Sequence, residues 1–390
     1  MNIPKLRFKE FTDEWNIHKL KDLCTTCGGG TPSKSITEYW TGNIPWISSS
    51  DLESNSIFKI NISKFITTKA ISESATKIIP PNSILIVSRV GVGKVAINYN
   101  ELCTSQDFTN LINIKSNPIF LTYLLKIKME KQIQQTQGTS IKGITTNDIK
   151  NINCTLPNIK EQEKIATFLT TVDKKITNLE NTITSLENQK KGLLQQIFSQ
   201  KLRFKDENGN NYPNWEKKKL EDISNITMGQ SPDSDFVNTE KIGTPFLQGN
   251  AEFTNKYPIE KYWCTKPQKI ANPTDILLSV RAPVGAINIA NKKFCIGRGL
   301  SAISFNCNKL FGKYNLEFNL FQLIKKSQGS TFSSINKKDI SEVILFIPCL
   351  EEQTKIADFL SAFDRKLENQ KAQLEHWKQI KKGLLQQMFV

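Results

Sequence analysis

From Pro157 to Phe198 apolar residues recur in alternating steps of four and three. They are Ile165, Leu169, Val172, Ile176, Leu179, Ile183 and Leu186, then Leu193 and Ile197, with Lys190 in one seam position. An a/d heptad seam of this kind predicts a long helix that must bury its stripe against a partner helix. Asn158 with Glu161 three residues later resembles a capping box, and the first turn is rich in acids, as the helix dipole favours. Such a rod is about 60 Å long. Its partner lies in the same chain. A shift of 191 residues carries Pro157 to Pro348, Glu161 to Glu352, Ile165 to Ile356, Asp173 to Asp364 and Lys190 to Lys381. KKGLLQQIF at 190–198 returns without a gap as KKGLLQQMF at 381–389. The second seam therefore runs through Ile356, Leu360, Phe363 and Leu367 to Leu384 and Met388, with Gln370 and Lys381 as polar members. The matching lengths, and the globule between the two rods, predict that they pair antiparallel.

The segments before each rod repeat more loosely. Lys5-Leu6-Arg7-Phe8-Lys9 recurs as Lys201-Leu202-Arg203-Phe204-Lys205, and Trp15 and Asp22 recur as Trp215 and Asp222. ILIVSRVGVG from Ile84 resembles ILLSVRAPVG from Ile276, which sets Arg89 against Arg281. Short β-branched runs (Ile84–Val90, Val95–Tyr99, Ile276–Val280, Ala286–Ala290) broken by Gly, Pro, Asn and Ser read as twisted sheet. Phe120–Gln135 and Tyr314–Lys326 read as helices. The expected fold class is α+β: two similar globules, 1–157 and 199–347, joined by the helices 158–198 and 348–390. The first rod continues into the second globule through KLRFK at 201–205, whereas the continuation that would follow the second rod stands at Lys5–Lys9. This arrangement predicts a cyclic, pseudo-two-fold design with Val390 near Met1.

The chain has 390 residues with 52 Lys and Arg against 37 Asp and Glu, a net charge of +15. An excess of that size favours a polyanionic partner, most often nucleic acid. No apolar run reaches the ~20 residues of a membrane span, and MNIPKLRFKEFTDEW lacks the layout of a signal peptide, so a cytoplasmic location with no membrane partner is expected. Only Cys24 and Cys27 of the eight cysteines have CxxC spacing, and no second pair completes a zinc set. His18 and His376 are isolated. Val90-Gly91-Val92-Gly93-Lys94 has the wrong spacing for a phosphate-binding loop, Ile79-Pro80-Pro81-Asn82 does not fit the tetrad of amino-methyltransferases, and HExxH and GxSxG are absent. The chain is expected to carry no catalytic residues and no metal.

The two-fold layout resembles the specificity subunit of type I restriction-modification enzymes. The resemblance rests on the rod starts (Pro157, Glu161-Gln162, Ile165-Ala166; Pro348, Glu352-Gln353, Ile356-Ala357). It also rests on the rod ends (Lys191-Gly192-Leu193-Leu194-Gln195-Gln196; Lys382-Gly383-Leu384-Leu385-Gln386-Gln387) and on the globule loops with Thr31-Pro32 and Ser231-Pro232. It covers nearly the whole chain. It implies two target-recognition domains that read a two-part double-stranded DNA site, and no cofactor on this chain. It also implies two methyltransferase subunits carrying S-adenosylmethionine, docked on the helices through residues such as Glu161, Gln162, Lys164, Glu352, Gln353 and Lys355. Restriction subunits with ATP and Mg²⁺ join them. A coiled-coil scaffold without DNA binding, and a stand-alone methyltransferase or nuclease, are the alternatives.

Where the two globules share a frame, their polar loop tips differ. Thr31 faces Ser231; Ser33 and Lys34 follow Thr31 in its loop, and Gln230 precedes Ser231. Ser48, after Trp46, faces Gln248, with Ser49 and Asn250 further along their loops, and Gln106 stands opposite Arg298. These are the candidate DNA contacts. Arg89, Arg281 and Arg298 suit guanine edges, and Gln106, Gln248 and Asn250 suit adenine. Lys34, Lys94, Lys142 and Lys337 suit phosphate.

Overall fold

The computed structural model describes residues 3–135, 143–254, 257–328 and 334–390. The chain divides into two compact units, Met1–Glu180 with Ala372–Val390, and Asn181–Lys371.

In the first unit, Ile84–Val87 lies inside a four-stranded antiparallel sheet ordered Thr25–Gly28, Phe108–Ile112, Ile84–Val87, Val95–Ile97. All four residues of this strand are buried. Side chains alternate across a strand, and here both faces are covered. Ile84 and Ile86 join a core with the helix Pro118–Gln135, while Leu85 and Val87 join a second core toward the other sheet. That two-sided burial is why the run is apolar throughout. The other sheet is ordered Lys64–Ile66, Ile44–Ile47, Leu102–Thr104, Ile78–Ile79; its central pair is parallel, with Trp46 opposite Cys103. A small antiparallel pair, Asn16–Lys19 with Asn153–Leu156, leads to the first rod.

The second unit repeats the plan. One sheet is ordered Ser224–Met228, Leu300–Phe305, Ile276–Ser279, Ile287–Ile289. The other is ordered Val237–Asn238, Tyr262–Cys264, Thr244–Leu247, Phe294–Ile296, Ile270–Ala271, with Phe246 opposite Cys295 in the parallel pair. Glu216–Lys219 pairs with Ile344–Ile347. The strands end sooner than their apolar runs suggest. The first run stops at Val87 because the N–H groups of Ser88 and Arg89 turn away to the carbonyl of Asp107.

The rods are the helices Ile159–Phe198 and Leu350–Gln387. Within the first unit Asp173 pairs with Lys381 and Glu180 with Lys378, at 2.5 and 2.9 Å. Within the second, Glu187 pairs with Lys371 and Lys190 with Asp364, at 2.7 and 2.5 Å. As numbers rise on one helix they fall on the other, so each unit holds an antiparallel helix pair. The lysines that interrupt the two seams are thereby explained. Each meets an aspartate of the facing helix, and that aspartate also accepts a hydrogen bond from a tyrosine hydroxyl: Tyr123 on Asp173, and Tyr314 on Asp364. Burial and the neighbouring carboxylate push both tyrosine hydroxyls far above their ordinary pKa, so they stay protonated donors.

The rod starts differ in detail from the expected capping box. Asn158 Oδ1 does accept from the Glu161 N–H at 3.0 Å, but the Glu161 carboxylate is gripped by Arg7 through two bonds of 2.8 Å. Arg203 grips Glu352 in the same way. Gln162 donates to the Pro157 carbonyl and accepts from the Asn117 N–H, and Gln353 does the same with Pro348 and Asn308.

Candidate nucleic-acid interface

Each unit has a concavity at the same place in its fold, with polar side chains set among apolar surface. The first, about 580 Å³, is lined by Thr31, Lys34, Thr37, Trp40, Trp46, Ser48, Lys64 and the loop Ser105–Asp107. The second, about 570 Å³, is lined by Ser231, Ser234, Val237–Glu240, Phe246, Gln248 and Tyr262. The parallel strand pair builds both. The Ser105 N–H donates to the Ile47 carbonyl at 2.9 Å, and the Gly297 N–H to Leu247 at 2.8 Å. The opening loop is drawn against the same strand: Gly30 N–H to the Thr104 carbonyl, and Gln230 N–H to Ile296, at 2.8 and 2.9 Å. That approach needs a glycine. A Cβ on Gly29 would lie 2.1 Å from the Ser105 carbonyl oxygen, and one on Gly229 would lie 2.1 Å from the Gly297 carbonyl oxygen.

Of the residues named from sequence, Thr31, Lys34, Trp46, Ser48 and Gln106 meet in the first concavity, and Ser231 and Gln248 in the second. Thr31 donates to Gln106, and the Arg298 N–H donates to Ser231 at 3.2 Å, so the facing loops are tied in both units. Ser33 and Gln230 are exposed beside these loops. Ser49 and Asn250 sit in the short 3-10 turns that follow, and Lys337 opens a separate short helix capped by Asn336. Arg89 and Arg281 occupy an adjoining turn. Lys142 lies outside the described residues.

Several of these expectations need correcting. Trp46 is only 3% exposed; its indole N–H donates to the Gly30 carbonyl, so it forms the floor rather than a contact surface. Lys94 spends its ammonium group on the carbonyls of Ser49 and Leu52 at 2.9 and 2.8 Å, where it pins a turn and does not face phosphate. Glu161 and Glu352 have no exposed surface, and Gln162 and Gln353 are buried with their amides engaged inside the unit. Buried, satisfied groups of this kind hold the rod start in place and offer nothing to a docking subunit. Lys164 is exposed and pairs with Glu10; Lys355, half-buried, donates to the Lys205 carbonyl.

Sequence reasoning missed Thr37, Trp40, Lys64, Asn238, Glu240 and Tyr262. Lys64 stands directly opposite Trp46, and Tyr262 directly opposite Phe246, on the neighbouring antiparallel strand. They are equivalent positions of different chemistry, brought in by strand pairing rather than by sequence spacing. Cys24 donates to the Leu20 carbonyl and its thiol is pushed up to about 11 by burial. A thiol held protonated in this way is poorly suited to bind a metal. Among the described residues no cluster of potential metal ligands occurs.

The type I restriction modification DNA specificity domain matches the chain twice, at residues 12–188 and 212–376. This chain belongs to that family. It is similar to a protein of Methanocaldococcus jannaschii provisionally named the type I restriction enzyme MjaX specificity subunit. The two are 32% identical over 405 residues, spanning 98% of this chain and 95% of the relative. A solved chain from work on complex assembly and conformational transition of the type I R-M system superposes with TM-score 0.61 at 25% identity, covering 95% of this chain and 96% of the other. The fold is also that of the type I restriction-modification S subunit from M. genitalium, with TM-score 0.66 at 17% identity over 100% and 99% of the two chains. The chain is a DNA-recognition specificity subunit, and the paired concavities are the candidate reading surfaces of that subunit.

Proposed function

We propose that this specificity subunit reads a two-part double-stranded DNA site, one part with each unit, and carries no catalysis of its own. The target-recognition domains are residues 1–157 and 199–347; the helices 158–198 and 348–390 are the platform for two methyltransferase subunits. Those subunits bring S-adenosylmethionine, and restriction subunits with ATP and Mg²⁺ complete the assembly in the cytoplasm. Docking uses the exposed faces of the helices, since the rod-start glutamates and glutamines are consumed inside the units.

One observation carries this reading: two concavities occupy equivalent places but have unlike linings. Ser48 is replaced by Gln248, Lys64 by Tyr262, and Lys34 by Ser234, while the second concavity alone carries a glutamate, Glu240. Base edges in the major groove present distinct donor and acceptor patterns, so two unlike linings read two unlike half-sites. The test is methylation mapping of a genome carrying this chain with its methyltransferase partner. A bipartite motif with two different halves is expected. Methylation by the partner without any motif, or by this chain alone, would refute the reading.

A further inference from the structure

Arg89 and Arg281 occupy one position in the two units. Each follows the central strand of the antiparallel sheet, Ile84–Val87 or Ile276–Ser279. Each begins a turn closed by glycine at positive φ, Gly93 at 95° and Gly285 at 99°. In each unit the strand end is fastened to the concavity loop: Ser88 N–H to the Asp107 carbonyl at 2.8 Å, Val280 N–H to the Gly299 carbonyl at 2.9 Å. The same backbone is fastened on its other side by Ile144 N–H to Ser88 and Ile335 N–H to Val280. Both arginines are exposed, and neither guanidinium has an acidic partner among the described residues.

Packing does not account for an exposed arginine kept at both places, and neither does an ion pair. The neighbouring reading positions changed chemistry between the units: Ser48 against Gln248, Lys64 against Tyr262, Gln106 against Arg298. A side chain that reads bases must differ where the half-sites differ. A side chain that holds phosphate meets the same group at every base pair and has no reason to differ. Building on the two-half-site reading above, we propose that Arg89 and Arg281 are equivalent, sequence-independent grips on the DNA backbone, one per unit, and not guanine readers. Each seats the duplex so that the adjoining concavity meets the base edges.

The experiment uses the full chain in complex with a type I methyltransferase subunit. It measures binding to a fluorescent duplex carrying the methylated motif and to a scrambled duplex, between 50 and 200 mM salt. In the Arg89→Ala/Arg281→Ala double variant, affinity for both duplexes should fall by the same factor, and the slope of log K against log salt should shrink by about two, at ~0.9 per phosphate contact. The genomic methylation motif should not change. Arg89→Lys/Arg281→Lys keeps both charges and should restore most of the slope. A relaxed base preference in either half-site would overturn the proposal and make the arginines base readers, and an unchanged slope would overturn it as well. As an internal comparison, Gln248→Ala should relax the second half-site only. If the unaltered complex does not discriminate the two duplexes at all, the two-half-site reading itself falls.

Discussion

The ammonium group of Lys381 lies 2.5 Å from the carboxylate of Asp173, on the facing helix and in a heptad position that an apolar residue would ordinarily fill. Lys190 and Asp364 make the equivalent pair in the second unit. Only the antiparallel register brings either pair together, so these lysines trade some apolar burial for a definition of register.

Removing one partner of such a pair strands the other charge in a largely buried site. Lys381→Ala should destabilise the first unit by about 2–4 kcal/mol. The triple change Lys381→Leu/Asp173→Leu/Tyr123→Phe restores an apolar seam without stranding the buried Tyr123 hydroxyl that Asp173 accepts from, and should recover most of that loss. Denaturant unfolding of the two variants checks the order, and a triple variant weaker than the single one would contradict this account of the pair.

Arg7→Ala should cost more than Arg203→Ala. Both leave a fully buried glutamate without its guanidinium, a loss of about 3–5 kcal/mol. Glu352, however, keeps a second donor in the Trp215 indole N–H at 3.0 Å, whereas the indole N–H of Trp15 is buried without a partner. Thermal melts of the two variants, each set against the unaltered chain, should rank Arg203→Ala as the milder change.

Gly29→Ala and Gly229→Ala should act on function, each in its own half. A Cβ at either position meets a carbonyl oxygen of the facing loop at 2.1 Å and must push that loop away. The expected outcome is loss of the base preference in one half-site with the other retained, read by methylation mapping with the partner subunit present.

The thiols offer a pH test. Burial raises Cys24 to about 11 and Cys154 and Cys295 to about 12. Since the folded values lie above the unfolded thiol value near 8.5, the stabilisation is complete below that pH and is lost as pH rises toward 12. At pH 8 the folded protein should leave these three thiols unreacted with a thiol-specific reagent, and unfolding should expose them at once.

The chain ends support a rearrangement. The Leu6 N–H donates to the Gln387 carbonyl at 2.9 Å, and the Leu202 N–H donates to the Gln196 carbonyl at 3.0 Å. The first bond joins the two ends of the chain, and the second lies within continuous chain where one rod passes into KLRFK. Met1 is outside the described residues, but from Leu6 inward the broken junction copies the intact one. Joining Val390 to Met1 by a short linker and opening the chain near Ser199 should give a folded protein with an unchanged methylation motif. Circular dichroism and mapping check it, and a permutant that fails to fold would count against the closed design.

Legibility followed the range of the interactions. The rods were legible because a heptad seam is written locally, and the duplication doubled its signal. The strands and the Pro118–Gln135 and Lys309–Gln328 helices were legible in kind, with ends set by turns such as the one Asp107 imposes on Ser88 and Arg89. The concavities were only partly legible. Thr31, Ser48, Gln106, Ser231 and Gln248 stood out as divergent loop tips, but Lys64 and Tyr262 did not, since strand pairing alone brings them opposite Trp46 and Phe246.

By itself the sequence determined the repeat, the helical seam, the α+β class and the family resemblance, because each is carried by residue order and composition. Only the tertiary structure decided which polar side chains face solvent and which are consumed. Glu161, Glu352, Gln162, Gln353 and Lys94 look like contact residues in one dimension, yet each is engaged internally by a donor or carbonyl far away in the sequence, the two glutamines through the Asn117 and Asn308 N–H groups. A buried polar group must find its hydrogen-bond partner within the fold, and sequence spacing does not reveal that partner.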